Sequence, residues 1–274
     1  GAAISSVTAR RVVVNADAVV VRDGLFAAGD ASTPSGAPAA NTGANSAGVR
    51  PSCGVVSLNF AFDVELSPLA HHSLFISQHY RDSWRAVEDP DTGAAMGFNA
   101  SAFNFYVHAP SRTDRSACPA GYDALTVLVP VPPLPSAGAE SSGPLYDVPL
   151  IRSAVLARLQ EMPGMPPHLS DHILHEHVRD PVVWASEFNL HRGAAFGLSH
   201  PLSQLAFFRP PIRDPRTARA YRVGSSTRPG NGVPLVMVSA ALATKRILAD
   251  VARELAYTPL HGGQSEQVKK RSDS

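Results

Sequence analysis

Residues 223 to 234 read Val-Gly-Ser-Ser-Thr-Arg-Pro-Gly-Asn-Gly-Val-Pro, and their order has a chemical logic. Ala218 to Val223 reads as a strand, and Gly224 follows where the backbone must leave the sheet. Ser225, Ser226 and Thr227 supply hydroxyls, and Pro229-Gly230 predicts a turn. Gly232 removes a side chain where another body can approach the backbone. Pro234 suits the first turn of a helix, because its missing N–H would have no partner there. The open N–H groups of such a turn, together with the helix dipole, favour partial negative charge. The pyrimidine edge of a flavin carries such charge, and more of it once reduced. A tight strand-to-helix turn with no ligand is the alternative reading. The Gly-x-Gly inside the loop is not a Rossmann fingerprint, since the third glycine is absent and no strand–helix–strand unit follows.

The elements that must position this loop lie on both sides of it. Pro234 to Tyr257 is predicted as a long helix, with Leu248, Val251 and Leu255 repeating at helical spacing. Arg11 to Val21, rich in Val, reads as a strand buried on both faces, as in a parallel sheet. Residues 28–51, built from small and polar types, read as a flexible linker. Strands are expected over Val55 to Val64, Phe103 to His108 and Asp123 to Val131, the last stopped by Pro132-Pro133. Leu74 to Glu88 reads as a helix, and Ile151 to Met162 as a short amphipathic one. A Pro/Ser/Gly-rich connection covers residues 132–144. Ile173 to Val183 contains strand-like stretches, and Gly193 to Arg209 is a loop leading into an apolar turn or short helix. The tail from Gly262 reads as solvated and disordered.

Composition narrows the function classes. The 274 residues are 44% hydrophobic and 17% charged, with a formal net charge of +1, so no polyanion-binding surface and no nucleic-acid partner is expected. Two cysteines, Cys53 and Cys118, cannot build a disulfide framework or a zinc cluster. No apolar run approaches the roughly 18 residues of a membrane span, and the chain opens on Gly rather than Met, so it reads as a piece of something longer.

Weaker signals have plainer readings. His168, His172, His175 and His177 cluster, with the last two on one face of a strand, yet no zinc motif accompanies them. They are read as surface or partly buried histidines, and no metal site is assigned. Gly197-Leu-Ser199-His200-Pro201 lacks the closing glycine of a nucleophile elbow and reads as a turn. Arg209, Arg213, Arg216 and Arg219 read as a solvated basic face, with contact to anionic lipid headgroups as the functional alternative. Lys269 to Arg271 reads as part of the tail.

The segment GSSTRPGNGVP closely resembles the C-terminal signature of the bacterial and fungal type of phytoene desaturase, Gly-[Ala/Ser]-x-Thr-x-Pro-Gly-x-Gly-[Val/Ile]-Pro. Three more stretches resemble that family in the same order. They are SCGVVSLNFAFD from Ser52, FNFYVHAPSRTDRSACPAGYDALTVLVPV from Phe103, and NLHRGAAFGLSHPLSQLAFFRP from Asn189. Arg228 stands where the family often has His, and the family's N-terminal Gly-x-Gly-x-x-Gly has no counterpart.

The resemblance implies an α/β fold of flavin amine-oxidase-like architecture, with an incomplete Rossmann-like FAD-binding portion and a mixed-sheet substrate domain. Residues 1–27 and 205–257 would belong to the first and 52–204 to the second, joined by the linker at 28–51 and followed by a disordered tail at 258–274. FAD is the implied cofactor, held in part by Gly224, Ser225, Ser226, Thr227, Pro229, Gly230, Gly232, Val233 and Pro234. The implied reaction is dehydrogenation of phytoene, a carotenoid precursor, by hydride transfer to FAD. No general base is assigned. The apolar stretches Phe103 to Val107, Ala194 to Leu198 and Leu205 to Phe208 would line a substrate tunnel, or else serve as ordinary core. An intracellular enzyme lying peripherally on a membrane is implied. Alternatives are a non-catalytic relative, an apolar-ligand-binding fragment, or a saturase-like flavoprotein acting on another isoprenoid or retinoid.

Overall fold

The computed structural model describes residues 8–21, 49–88, 98–135, 146–214 and 219–257. In chain order its elements are β1 (Val12–Val14), the single turn α1 (Ala18–Val20), β2 (Gly54–Phe62), β3 (His72–Phe75), α2 (Tyr80–Glu88) and β4 (Phe105–His108). Then come β5 (Asp123–Val131), α3 (Val148–Gln160), β6 (Ile173–Arg179), α4 (Pro181–Phe188), β7 (Ala220–Arg222) and α5 (Val233–Tyr257). Among the described residues the fold is mixed α/β, with one parallel and one antiparallel sheet.

The middle of the chain builds a five-stranded antiparallel sheet in the order β3-β4-β5-β2-β6. In β5 buried residues alternate with half-buried ones, as a strand packed mainly on one face requires. In β2 nearly every residue is buried, because it lies between β5 and β6. α3 covers the sheet with Ile151, Val155, Leu156 and Leu159, whose spacing makes one helical face. Pro130 sits in β5 beyond the residues that β4 pairs, so its missing N–H breaks no ladder on that side.

One buried ion pair fastens the loop before β5 to the sheet. Arg112 and Asp123 meet at 2.6 Å, and the carboxylate also accepts from Ser111 Oγ at 2.6 Å and the Leu66 N–H at 3.0 Å. Arg112 donates onward to the carbonyls of Leu66 and Leu69. Burial pushes the Asp123 carboxyl up, but the hydrogen bonds from Arg112, Ser111 and Leu66 outweigh it and hold the group below the ordinary carboxylate range. The Pro-Ser-Arg segment is thus a fold determinant.

The outer parts of the described chain meet in a second sheet, where β1 and β7 pair in parallel with Val12 opposite Ala220 and Val14 opposite Arg222. α5 docks on β7 through the Tyr221 hydroxyl, which donates to Asp250 at 3.0 Å, and Arg246 and Arg253 also reach that carboxylate. Arg11 pairs with Glu254 at 2.6 Å.

Several expectations need correction. The strand expected over Arg11 to Val21 stops at Val14, because Asp17 caps the turn that follows by accepting from the N–H groups of Val19 and Val20. It is not buried on both faces either: Val12 and Val13 are 48% and 54% exposed. Leu74 to Glu88 splits into an edge strand and a shorter helix, since the alternating His-Ser-Leu-Phe run pairs with β4. Pro181 to Val183 is the first turn of α4, with Asp180 accepting from the Val183 N–H and Pro181 in the first turn. On α5 the expected apolar stripe faces outward, with Leu248 62% and Leu255 73% exposed. The buried face is instead Ser239, Ala243 and Asp250, small and polar residues that allow close approach to β7. The linker at residues 28–51 and the connection at 132–144 lie largely outside the described residues, and the tail at 258–274 lies wholly outside them.

Candidate functional site

The loop after β7 leaves the sheet at Gly224, whose φ of +109° is a left-handed conformation suited to glycine. A Cβ at that position would lie 2.4 Å from the Asn15 side-chain oxygen, so the chain passes close against the end of β1. The Gly224 N–H donates to Ser239 Oγ at 3.2 Å, which ties the start of the loop to α5. Gly230 and Gly232 also have positive φ, at +155° and +93°. A Cβ on Gly232 would meet nothing within 4 Å, so open space lies in front of the α5 N-terminus. Gly232, Val233, Pro234 and Leu235 are all exposed there. The first backbone hydrogen bond of the helix is Val236 N–H to Gly232 O, at 2.9 Å, so the N–H groups of Val233 and Leu235 precede the intrahelical ladder.

Two of the three hydroxyls are bonded within the protein. Ser226 is buried and its Oγ accepts from the Ala18 N–H at 2.9 Å, joining the loop to α1. Thr227 is buried and donates to Pro210 O at 2.7 Å. These two positions hold the loop in place, and Ser225 alone of the three is exposed. Pro229 follows a cis peptide bond from Arg228.

Beneath the loop lies Arg209, only 1% exposed, which the solvated-face reading did not anticipate. Its guanidinium donates to the carbonyls of Ser225 at 3.0 Å and Gln204 at 3.3 Å. Its Nε is buried with no hydrogen-bond partner, and among the described residues no carboxylate pairs with it. Burial pulls the Arg209 pKa down, since a cation out of water is disfavoured. A Cβ on Gly230 would sit 3.9 Å from that Nε. An uncompensated cation and a helix N-terminus therefore flank the same loop, and both favour a partly negative group. The polar edge of a flavin fits this donor set.

The stretches singled out in the sequence come together around the loop. Ser52 and Cys53 bond to the Ala195 to Gly197 backbone: Ser52 N–H to Gly197 O at 2.8 Å, and Ala195 N–H to Cys53 O at 3.2 Å. A Cβ on Gly197 would lie 3.7 Å from Ser226. Gln204 bonds both the N–H and the carbonyl of Arg50 at 2.8 Å, and His200 meets Asn231 at 2.8 Å. Ser199 Oγ accepts from Gln204 at 3.1 Å. Burial pushes the Cys53 thiol up to about 11, so it stays protonated at neutral pH. Asn15 and Ser239 escaped the sequence reading, while Gln204 and Arg209 lay in a family-like stretch without a role at the loop. The histidines at 172, 175 and 177 do not converge on the loop: His172 pairs with Asp63 at 2.8 Å, and the other two are exposed on β6.

Comparison with known proteins bears on the site. No family model matches the chain. It is 37% identical over 209 residues to a zeta-carotene-forming phytoene desaturase of Myxococcus xanthus, which covers 71% of this chain and 37% of that protein. It is 33% identical over 269 residues to a phytoene desaturase of Neurospora crassa, covering 95% of this chain and 43% of the other. A lycopene-forming phytoene desaturase of Pseudescherichia vulneris is 32% identical over 196 residues, covering 71% of this chain and 37% of its own. The chain spans about two fifths of the length of these curated relatives. Over most of its own length, this chain is a relative of the bacterial and fungal phytoene desaturases.

Proposed function

We propose that the chain forms the C-terminal part of an FAD-dependent oxidoreductase of carotenoid biosynthesis, which dehydrogenates a phytoene-like polyisoprenoid. The observation that carries this reading is the folded loop itself, with open space before the α5 N-terminus and the unpaired Nε of Arg209 beneath it. FAD, when bound, supplies the hydride acceptor. The residues present would bind and orient its polar edge: the N–H groups of Val233 and Leu235 offer hydrogen bonds, and Arg209 adds positive potential. Ser226 and Thr227 anchor the loop to Ala18 and Pro210. The β1–β7 pair with α5 would be a portion of a FAD-binding domain, and the five-stranded sheet the substrate domain, in a flavin amine-oxidase-like arrangement. The exposed Val12, Val13, Leu248 and Leu255 are surfaces that further FAD-binding structure would cover.

A membrane-dissolved substrate calls for contact with a bilayer. Leu202, Phe207 and Phe208 are exposed on consecutive turns and offer an apolar surface for peripheral association. No helix among the described residues is long and apolar enough to cross a membrane.

The test is to purify the chain together with any further sequence its gene encodes, measure flavin absorbance, and assay conversion of phytoene in liposomes. Gly232→Ala places a methyl in the open space at an unfavourable φ, and Arg209→Met removes the buried cation. Both are expected to lose bound flavin while circular dichroism stays unchanged. Full retention of flavin by both variants would remove the loop from the cofactor site. A wild-type protein that carries no flavin after gentle purification would end the proposal.

A further inference from the structure

A second cluster lies on the five-stranded sheet, at its β3 edge. Register places His72 directly opposite His108 across the β3–β4 ladder. His71 precedes β3, and its carbonyl accepts from the Ala109 N–H at 2.9 Å, which draws its ring to the same spot. The Nε2 atoms of His71 and His108 are 3.0 Å apart. One nitrogen from each of His71, His72 and His108 lies within 4.8 Å of the others.

Hydrogen bonds hold two of the three rings in place. Thr113 Oγ1 lies 2.5 Å from His71 Nδ1 and holds that ring by one nitrogen. The other nitrogen of His71, Nε2, faces His108. His72 Nδ1 is engaged by the Tyr106 hydroxyl at 2.6 Å, leaving its Nε2 as the open nitrogen. Ligating histidines commonly have their other ring nitrogen held in this way, which fixes ring orientation and raises basicity.

We propose that His71, His72 and His108 bind one divalent transition-metal ion of the zinc class, clipping the edge strand β3 to β4 and to the turn at Thr113. Zinc–nitrogen bonds of about 2.0–2.1 Å put tetrahedral ligand atoms about 3.3 Å apart. The His71–His108 pair is already close to that separation, and the exposed ring of His72 closes the third side. Three imidazoles leave the fourth position to water or an anion. Nitrogen ligands select zinc, nickel or copper over magnesium and calcium. The proposal stands apart from the flavin loop, and its test does not depend on flavin.

The experiment uses the full chain without a histidine tag, freed of metal with a chelator and titrated with zinc chloride by calorimetry. Cobalt substitution reports geometry through visible absorption. One ion per chain, tetrahedral cobalt bands, a raised Tm reversed by chelator, and no response to magnesium are expected. His108→Ala should abolish the binding, and the exposed His72→Ala, which disturbs the fold least, should weaken it at least tenfold. The double variant His175→Ala/His177→Ala should bind as the wild type does. Absence of saturable zinc binding, full binding by His72→Ala and His108→Ala, or loss of binding in the His175/His177 variant would overturn the proposal.

Discussion

Replacing Asp123 with asparagine tests whether the Pro-Ser-Arg segment is a structural clamp. The carboxylate is 1% exposed and accepts from Leu66 N–H, Ser111 Oγ, two Arg112 nitrogens and the Ala124 N–H. An amide of the same shape turns one acceptor into a donor that faces donors, and leaves the Arg112 charge without its partner. Arg112 keeps the carbonyls of Leu66 and Leu69 and is 15% exposed, so some of its solvation is retained. Breaking a buried pair on one side costs about 3–5 kcal/mol, and the lower end applies here. With a urea slope of about 3 kcal/mol per molar, the midpoint should fall by about 1 M at unchanged slope. Tryptophan fluorescence in a urea titration measures it. Asp114→Asn in the same segment is the control, since that side chain bonds its neighbour Ser116, and its midpoint should not move. The pH arm has a defined sign. Because the folded-state pKa of Asp123 is depressed, its contribution is fully present above the unfolded carboxylate value of about 3.9, and is lost as pH falls through the folded value. The acid limb of the wild-type profile should therefore be missing from Asp123→Asn. A midpoint shift below about 0.3 M, or an unchanged acid limb, would refute the clamp.

Other consequences are quickly checked. Gly224→Ala brings a methyl to 2.4 Å from the Asn15 oxygen at a φ of +109°, so it should loosen the β1–β7 pairing, seen as lost hydrogen-exchange protection at Val223, whose N–H bonds Val14 O. The Cys53 thiol, raised to about 11, should resist iodoacetamide in the folded protein at neutral pH and react once the protein is unfolded in urea, as read by mass spectrometry.

Much of the architecture was legible because it follows from local rules. Asp123–Val131 alternates and ends at consecutive prolines, so its bounds could be read directly. Misreadings arose where a local pattern had two outlets. His72–Phe75 carries too few residues to distinguish a strand from the start of a helix until β4 pairs with it. The valines at 12–14 and 19–21 look like one strand, yet Asp17 between them finds the N–H groups of Val19 and Val20 and starts a turn. Arg209 looked like one of several surface cations, because nothing in a sequence marks which arginine the chain will fold over.

By itself the sequence determined the loop from Val223 to Pro234, its glycines at the strained positions, and the helix that follows, since these depend on the backbone preferences of neighbouring residues. Only the tertiary structure decided what surrounds that loop. Ser226 and Thr227 turn inward, Arg209 lies beneath, and α5 exposes Leu248 and Leu255 while its buried face is Ser239, Ala243 and Asp250. The histidines followed the same division. Four within ten residues drew attention in the sequence, yet the three that converge are His71, His72 and His108, joined by strand register across 36 residues. Spacing along a chain reports neighbours on one element, whereas a site assembled across strands exists only once pairing has chosen the partners.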